Sequence, residues 1–475
     1  MPIIETYLNN FLFAFLIVLF VLYVVISVLS AFELRKYIQK NKYTDYKSIL
    51  RFEIIPSVSI IAPAYNEEKS IVENIKCLLS LYYPKQEVII VNDGSKDKTL
   101  ELVIEAFDLI KVDYAFETII YTKRVRGIYK SRKSEFSSLI VVDKENGGKG
   151  DALNAGINIS RCDLFMAIDV DSIIEPDAIV KMVKPFIEEE EGRKIIASGG
   201  VVRVANSCEI NNGRIVKVVY PKNIWAKFQV LEYFRAFTLG RMAWSRINGL
   251  LIISGAFGMF DRELVLKIGG YDTTTVGEDL ELVVRMRRYM HEVEKKKYRI
   301  VFIPDPLCWT EVPSSLNILG KQRNRWTRGA IDTLQKHSKL FFNPKYGRMG
   351  MLSYPYWVFF EWLGPIFEFS GLIFFIYVIL AGLLNVSTFL MFLALVYSFS
   401  ILFSFFAVFY ESFTYNKYKG SSYLLNLLLF ATLEMIIYHP FIVYFSIKGN
   451  FDFFILRKRH GWGKMNRVGF KSKKQ

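Results

Sequence analysis

Cysteine and histidine are scarce in this 475-residue chain, with four of each. Cys77, Cys162, Cys208 and Cys308 show no CxxC spacing, and the histidines are scattered, so the sequence argues against a zinc site and for a reduced compartment. The GxxxxGK[ST] phosphate loop is missing, as are internal repeats and low-complexity segments. No cleavable signal peptide is evident, since that would need a basic start, a shorter apolar core and a small-residue cleavage site. Charge is absent altogether from residues 11–32 and again from 371–410.

Those uncharged runs show where the 52% hydrophobic content, with 40 Phe and 27 Tyr, is spent. Residues 11–32 match the ~20 residues that cross a bilayer as a helix. Residues 371–410 suffice for two spans turning near Asn385, and 421–447 form a further apolar block broken by Glu434 and His439. Six Lys or Arg lie between Arg35 and Arg51, whereas only Glu5 precedes the first span. The positive-inside rule therefore puts the N-terminus outside and the following residues in the cytoplasm. The tail from Lys448, with nine Lys or Arg against one Asp, is expected inside too, which requires an even number of later crossings. Residues 351–366, with Trp357, Glu361, Trp362 and a Gly364-Pro365 break, are expected to lie on the membrane surface. The predicted domains are thus a membrane helix at 1–34, a cytoplasmic domain at 52–345, the interfacial helix at 351–366, a membrane region at 367–447 and a basic tail at 448–475. The net charge of +15 sits largely beside the spans, where anionic lipid attracts it, and does not call for nucleic acid.

Between 52 and 345, β-branched runs alternate with helical stretches. SVSIIAPAY (57–65), EVIIVNDGS (87–95), SSLIVVDKE (137–145) and LFMAIDVD (164–171) read as strands, with helices over EEKSIVENIKCLLSL and GKGDALNAGINIS. This predicts a mostly parallel α/β sheet whose ligands bind at the carboxyl ends of the strands. Residues 105–136 are weakly patterned and read as an excursion from that core.

Polar signatures gather at the same strand ends. Strand alternation would put Asp169 and Asp171 on one face, where two carboxylates repel unless a cation lies before them; a hard divalent ion shared with substrate phosphates answers this. An isolated DxD is more often a pair of solvated aspartates starting a loop. VNDGSKDKT (91–99) has the form of a strand and tight turn, equally an ordinary βα turn capping a helix. GGKGDALNAG (147–156) joins a Gly-rich loop, Lys149 and a helix start, which favour an anion; the alternative is a flexible loop with a solvated lysine. Glu278 and Asp279 open an amphipathic helix, a place the helix dipole favours for acids regardless of function, or one supplies a general base. KQRNRWTRG (321–329) is either a basic surface helix or a diphosphate-holding guanidinium beside an indole.

PAYNEE, VNDGS, GGKGDALN, DVD, SGAFGMF, GED and QRNRW, taken in this order over residues 62–329, resemble the membrane-embedded family-2 glycosyltransferases of the processive kind, among them poly-N-acetylglucosamine, hyaluronan, chitin and cellulose synthases. The resemblance implies a nucleotide-sugar-binding sheet of the GT-A type in the cytoplasm, flanked by transmembrane helices in the plasma membrane. It implies that Glu67 and Asp93 hold the uridine of a UDP-sugar in a pocket that Lys149 lines, that Asp169 lies near the uridine diphosphate, and that Asp171, with Asp169, binds Mg²⁺ or Mn²⁺. Asp279 would be the base with Glu278 beside it; Ser254 and Gly255 would lie near the acceptor sugar. Gln322, Arg323, Arg325 and Trp326 would hold the diphosphate and the acceptor end.

The implied reaction is one inverting displacement that gives a β-linked product from an α-linked donor. Implied partners are the UDP-sugar, a growing polysaccharide or lipid acceptor, membrane lipid and an accessory subunit. The tail GWGKMNRVGF and the QRNRW form resemble the poly-N-acetylglucosamine branch, so N-acetylglucosamine is the expected sugar, although several bacterial members of that branch have two N-terminal spans. A single-addition transferase acting on a lipid-linked acceptor is the alternative, and a transporter with a nucleotide-sensing domain the remote one.

Overall fold

The structure is a computed structural model that describes residues 2–51, 54–188, 192–211, 213–415, 417–418 and 421–458. The GWGKMNRVGF stretch and most of the basic tail lie outside the described residues. The described residues divide into two compact units: 2–39, Lys222–Gly249 and 313–458 in one, and 40–221 and Leu250–Val312 in the other.

Among the described residues the second unit is built on twelve strands: β1 (Val58–Ala64), β2 (Gln86–Asp93), β3 (Leu109–Val112), β4 (Val125–Ser131), β5 (Leu139–Lys144), β6 (Leu164–Ile168), β7 (Ile173–Ile174), β8 (Lys194–Val204), β9 (Glu209–Asn211), β10 (Arg214–Lys217), β11 (Phe257–Asp261) and β12 (Tyr298–Thr310). Ten form one sheet in the order β3-β4-β5-β2-β1-β6-β11-β8-β12-β7, and β9 pairs with β10 separately. The four central strands β5, β2, β1 and β6 run parallel. Val88–Val91, Leu139–Val142 and Leu164–Ile168 are wholly buried, as strands covered on both faces require.

The sheet is mixed rather than mostly parallel. β11 lies antiparallel to both β6 and β8. Alternating strand and helix signals direction only where one helix joins two strands; β11 follows a long connection from β10 and is free to enter the sheet reversed. Residues 105–136 are likewise no excursion: β3 and β4 extend the sheet antiparallel beyond β5. A third correction concerns LFMAIDVD, whose strand stops at Ile168. Asp169 to Ser172 make a turn closed by the Ser172 N–H donating to the Asp169 carbonyl at 2.9 Å, so period-2 alternation does not govern the two aspartates.

The other unit is helical. Among the described residues, three helices are long and apolar enough to cross a membrane, Phe13–Asn41, Met349–Leu380 and Phe389–Thr414; Tyr423–Ile437 and His439–Phe454 meet at a 47° bend and pass the same test together, giving up to four spans. Residues 351–366 fall within the second of these helices as successive π- and α-helical turns. Two of the ionisable groups in these apolar helices, Glu434 and His439, are partnered inside the unit, as low-dielectric surroundings demand. Arg235 donates through both terminal nitrogens to Glu434, and the His439 ring meets Glu368 at 2.6 Å.

Candidate active site

The loops that leave β1 and β2 are stitched to each other. Asn66, at φ 57°, receives the Lys96 N–H on its side-chain oxygen at 2.8 Å and gives its own N–H to Ser95 at 3.0 Å. The Glu67 N–H donates to Thr99 at 2.8 Å, and the Glu68 N–H to Asp97 at 3.2 Å. Gly94 turns the chain at φ +68°, where a Cβ would lie 2.8 Å from the Asn146 nitrogen. Only glycine combines that left-handed backbone with so close an approach. The PAYNEE and VNDGS segments are therefore one structural corner.

Asp93, at the end of β2, is buried, and both its carboxylate oxygens are engaged. Oδ1 accepts from Lys144 Nζ at 2.8 Å and the Gly147 N–H at 2.9 Å, while Oδ2 accepts from the Gly148 N–H at 2.8 Å. Lys144 is fully buried and also reaches Asp151 at 2.5 Å. Asp151 in turn accepts from the Lys123 N–H at 3.0 Å. One ammonium is thus shared by two carboxylates, and the Gly147, Gly148 and Lys123 N–H groups offset the negative charge it leaves. Its consequence is a fixed Gly147–Gly148 loop, which sets the start of the helix Lys149–Ile159.

Lys149 leaves that helix start toward the end of β6. Its ammonium donates to Asp169 Oδ1 at 2.5 Å and to the Gly255 carbonyl at 2.8 Å. The Gly255 N–H donates to Asp279 Oδ2 at 3.1 Å, while Asp279 Oδ1 accepts its neighbour's N–H, from Leu280, at 2.9 Å. The residue Gly255 therefore joins, by its two backbone groups, the lysine of GGKGD and the aspartate of GED. Asn154, five residues along the same helix, holds the approach to GED by a reciprocal pair with the Tyr271 backbone at 2.7 and 2.9 Å. Burial, with Glu278 and Asp279 adding, pushes the Tyr271 phenol well above its ordinary value, so it stays neutral beside those acids. Ser254 turns the chain here, its carbonyl accepting from the Phe257 N–H at 3.0 Å.

Asp171 is buried within the turn after β6. Among the described residues no group of three His, Cys, Asp or Glu could hold a metal alone. Two hard carboxylates in one turn fit a divalent cation that completes its shell from phosphate and water.

Comparison with known proteins places these motifs. The family described as Glycosyl transferase family 2 matches residues 59–265, and that described as Glycosyl transferase family group 2 matches 165–410, just over half of the chain. The chain belongs to the family-2 glycosyltransferases. A poly-beta-1,6-N-acetyl-D-glucosamine synthase of Staphylococcus aureus (strain COL) is 28% identical over 326 residues, 68% of this chain and 66% of the relative; that of Staphylococcus epidermidis is 28% identical over 280 residues, 59% of this chain and 56% of the relative. The chain thus spans just under two thirds of the first relative and little more than half of the second. Among solved structures, a mannosyltransferase from Pyrobaculum calidifontis in complex with GDP-Man and Mn²⁺ aligns over 91% of this chain and 98% of its own, at 17% identity and TM-score 0.49. The catalytic unit of this glycosyltransferase is an α/β fold with a large mixed sheet.

Of the residues singled out from sequence, Lys149, Asp169, Gly255 and Asp279 are linked by direct hydrogen bonds, with Ser254 and Glu278 adjacent in the chain. Glu67 and Asp93 stand at neighbouring strand ends, and Asp93 is committed to the Gly147–Gly148 loop. Gln322, Arg323, Arg325 and Trp326 belong to the helical unit, on the helix Leu316–Lys336. Sequence reasoning missed Lys144, Asp151 and Asn154. Lys144 ends a strand and drew no reading of its own; the signal that could have found it is an apolar strand ending in DK, with Asp93 and Asp151 requiring a counter-charge.

Proposed function

We propose that this glycosyltransferase is an inverting enzyme that uses a UDP-sugar, UDP-N-acetylglucosamine, to elongate a β-linked polysaccharide at the membrane, with its catalytic unit in the cytoplasm. The reading rests above all on the Gly255 peptide, which ties the Lys149–Asp169 pair to Asp279. A group that meets the donor's charge and a carboxylate that can take a proton are thereby held in one piece. The 28% identity to poly-N-acetylglucosamine synthases supports the choice of sugar and polymer.

In this mechanism an acceptor hydroxyl, a weak nucleophile at neutral pH, gives its proton to Asp279 as it attacks the anomeric carbon. Attack from the face opposite the leaving diphosphate inverts that centre, so no carboxylate nucleophile is needed. Lys149 meets the developing charge on the diphosphate, and Glu67 and the Asp93-held loop bound the uridine. Asp171, with Asp169, would hold Mg²⁺ or Mn²⁺, which neutralises diphosphate charge when bound. Arg325 and Trp326 serve the diphosphate and the acceptor end.

The test incubates full-length protein in lipid nanodiscs with a panel of UDP-sugars and Mn²⁺ or Mg²⁺, sizes the product and digests it with linkage-specific hydrolases. A long polymer cleaved by a β-N-acetylglucosaminidase is expected. A product carrying one added sugar on lipid would overturn polymer elongation, and turnover of another UDP-sugar alone would overturn the donor.

A further inference from the structure

Three helices of the membrane-associated unit meet at one side chain. Arg323 lies on Leu316–Lys336, one turn before Trp326 and on the same face. Its Nη2 donates to Glu232 Oε2 at 2.7 Å and to the Tyr438 hydroxyl at 3.3 Å. Glu232 comes from the helix Ile224–Tyr233. Tyr438 occupies the break between Ser421–Ile437 and His439–Phe454, and its hydroxyl donates to the same Glu232 oxygen at 2.7 Å. The Tyr438 ring is stacked on Phe228 with centroids 5.1 Å apart. The result is a closed triangle of guanidinium, carboxylate and phenol.

The triangle acts on Trp326. The Arg323 guanidinium stands 4.2 Å from the centre of the indole, and Arg323 is only 5% exposed whereas Trp326 is 41% exposed. One face of the indole is therefore backed by a fixed cation and the ring remains open to solvent. A cation held over an aromatic face fixes the ring's orientation, and an oriented, open indole is the surface on which the apolar face of a pyranose stacks.

We infer that Glu232 and Tyr438 are positioning residues for the acceptor: they hold Arg323, and through it the Trp326 ring, in the orientation that receives the acceptor sugar. This rests on the proposed reading of Trp326 as an acceptor contact. Without the Glu232 carboxylate, Arg323 would be a buried charge lacking its anion, so the guanidinium would turn away and release the indole. Losing only the Tyr438 hydroxyl would loosen the same geometry more mildly and leave the ring stack on Phe228 in place.

The experiment uses full-length protein in nanodiscs labelled with 5-fluorotryptophan, with the Trp326 ¹⁹F resonance assigned by loss in Trp326→Phe. Kinetics are measured with UDP-N-acetylglucosamine and a β-linked N-acetylglucosamine oligosaccharide as acceptor. Glu232→Gln is expected to shift or broaden the Trp326 resonance and to raise the acceptor KM about tenfold, within the range of one desolvated cation–π contact, with the donor KM within about twofold. Tyr438→Phe should give a smaller change of the same kind, and Glu232→Asp should restore both readouts in part. An unmoved Trp326 resonance in Glu232→Gln overturns the positioning role whatever the activity. A moved resonance with an unchanged acceptor KM overturns the link between this ring and the acceptor, and so the reading of Trp326 on which the inference stands.

Discussion

Two carboxylate clusters stand at strand ends on either side of β1 in the catalytic unit and are built to opposite purposes. At the end of β2, Asp93 faces two backbone N–H groups and Lys144, and Lys144 also answers Asp151. At the end of β6, Asp169 and Asp279 are joined through Lys149 and the Gly255 backbone. The first cluster consumes its hydrogen-bonding capacity within the protein and so makes a frame. The second is tied by single bonds at a glycine, whose missing side chain leaves room beside a lysine and a carboxylate. A buried aspartate near a site is thus not evidence of substrate contact until its partners are counted.

The sharpest way to break this comparison is to neutralise one carboxylate of the second cluster. Asp279→Asn preserves shape and the Gly255 contact but cannot take a proton, so transfer should fall roughly 10²–10⁴-fold, the span of a general base. UDP binding, measured by calorimetry with Mn²⁺ present, should stay within about twofold. Asp171→Asn should weaken metal-dependent UDP binding first. Equal loss of UDP binding in both variants would remove the division of labour between them.

The frame should fail by unfolding rather than by chemistry. Lys144→Met leaves two buried aspartates without their shared cation, a class of change that costs about 3–5 kcal/mol, partly relieved here because Asp93 keeps the Gly147 and Gly148 N–H bonds. A fall in Tm on the order of 10 °C follows, at about 2–4 °C per kcal/mol for a domain of this size. Adding Asp151→Asn to Lys144→Met removes one of the stranded charges and should recover part of that loss in the same melting assay. A double variant less stable than the single one would show that Asp151 is held by something other than Lys144.

The two clusters also differ in how far the sequence displayed them. GGKGD, DVD, SGA and GED each carry residues whose chemistry is visible in a short string, and their order along α/β strand ends implies convergence. What could not be read was the pairing across distance. Lys144 looked like any lysine after a strand, because its two aspartates lie 51 and 7 positions away and only the β2–β5 register brings Asp93 beside it. Helix and strand alternation exposed the parallel centre, yet the reversed β11 and the added β3 and β4 depend on where long connections return. Likewise the turn at Asp169 was hidden, since an apolar run followed by DVD has the same period whether or not the strand continues.

A subtler probe sharpens the second cluster without altering its charge. In Gly255→Ala the new Cβ would lie 3.2 Å from Lys149 Nζ and 3.4 Å from Asp279 Oδ2. The lysine end is flexible and can give a few tenths of an ångström, so Tm should change little. The relation of Lys149 to Asp279 would shift, and because catalysis is sensitive to misplacement well under 1 Å, kcat should fall roughly tenfold with the UDP-sugar KM nearly constant. A kcat unchanged by this methyl group would mean that the Gly255 link does not set the reacting geometry.

The smallest expected effect lies at the margin of the frame and tests where the frame ends. Arg126 donates to Asp143 Oδ1 at 2.8 Å, but its side chain is 45% exposed, and Asp143 also accepts from Asn92 Nδ2 at 2.7 Å. An exposed guanidinium is worth about 0–1 kcal/mol to such a pair, and here the buried carboxylate keeps a second donor. Arg126→Ala should therefore lower Tm by no more than a few degrees and leave transfer within about twofold. A loss as large as that of Lys144→Met would extend the frame outward to β4, because the Arg126 side chain also donates to the Lys144 carbonyl at 2.9 Å and would then be holding the strand end from which Lys144 projects.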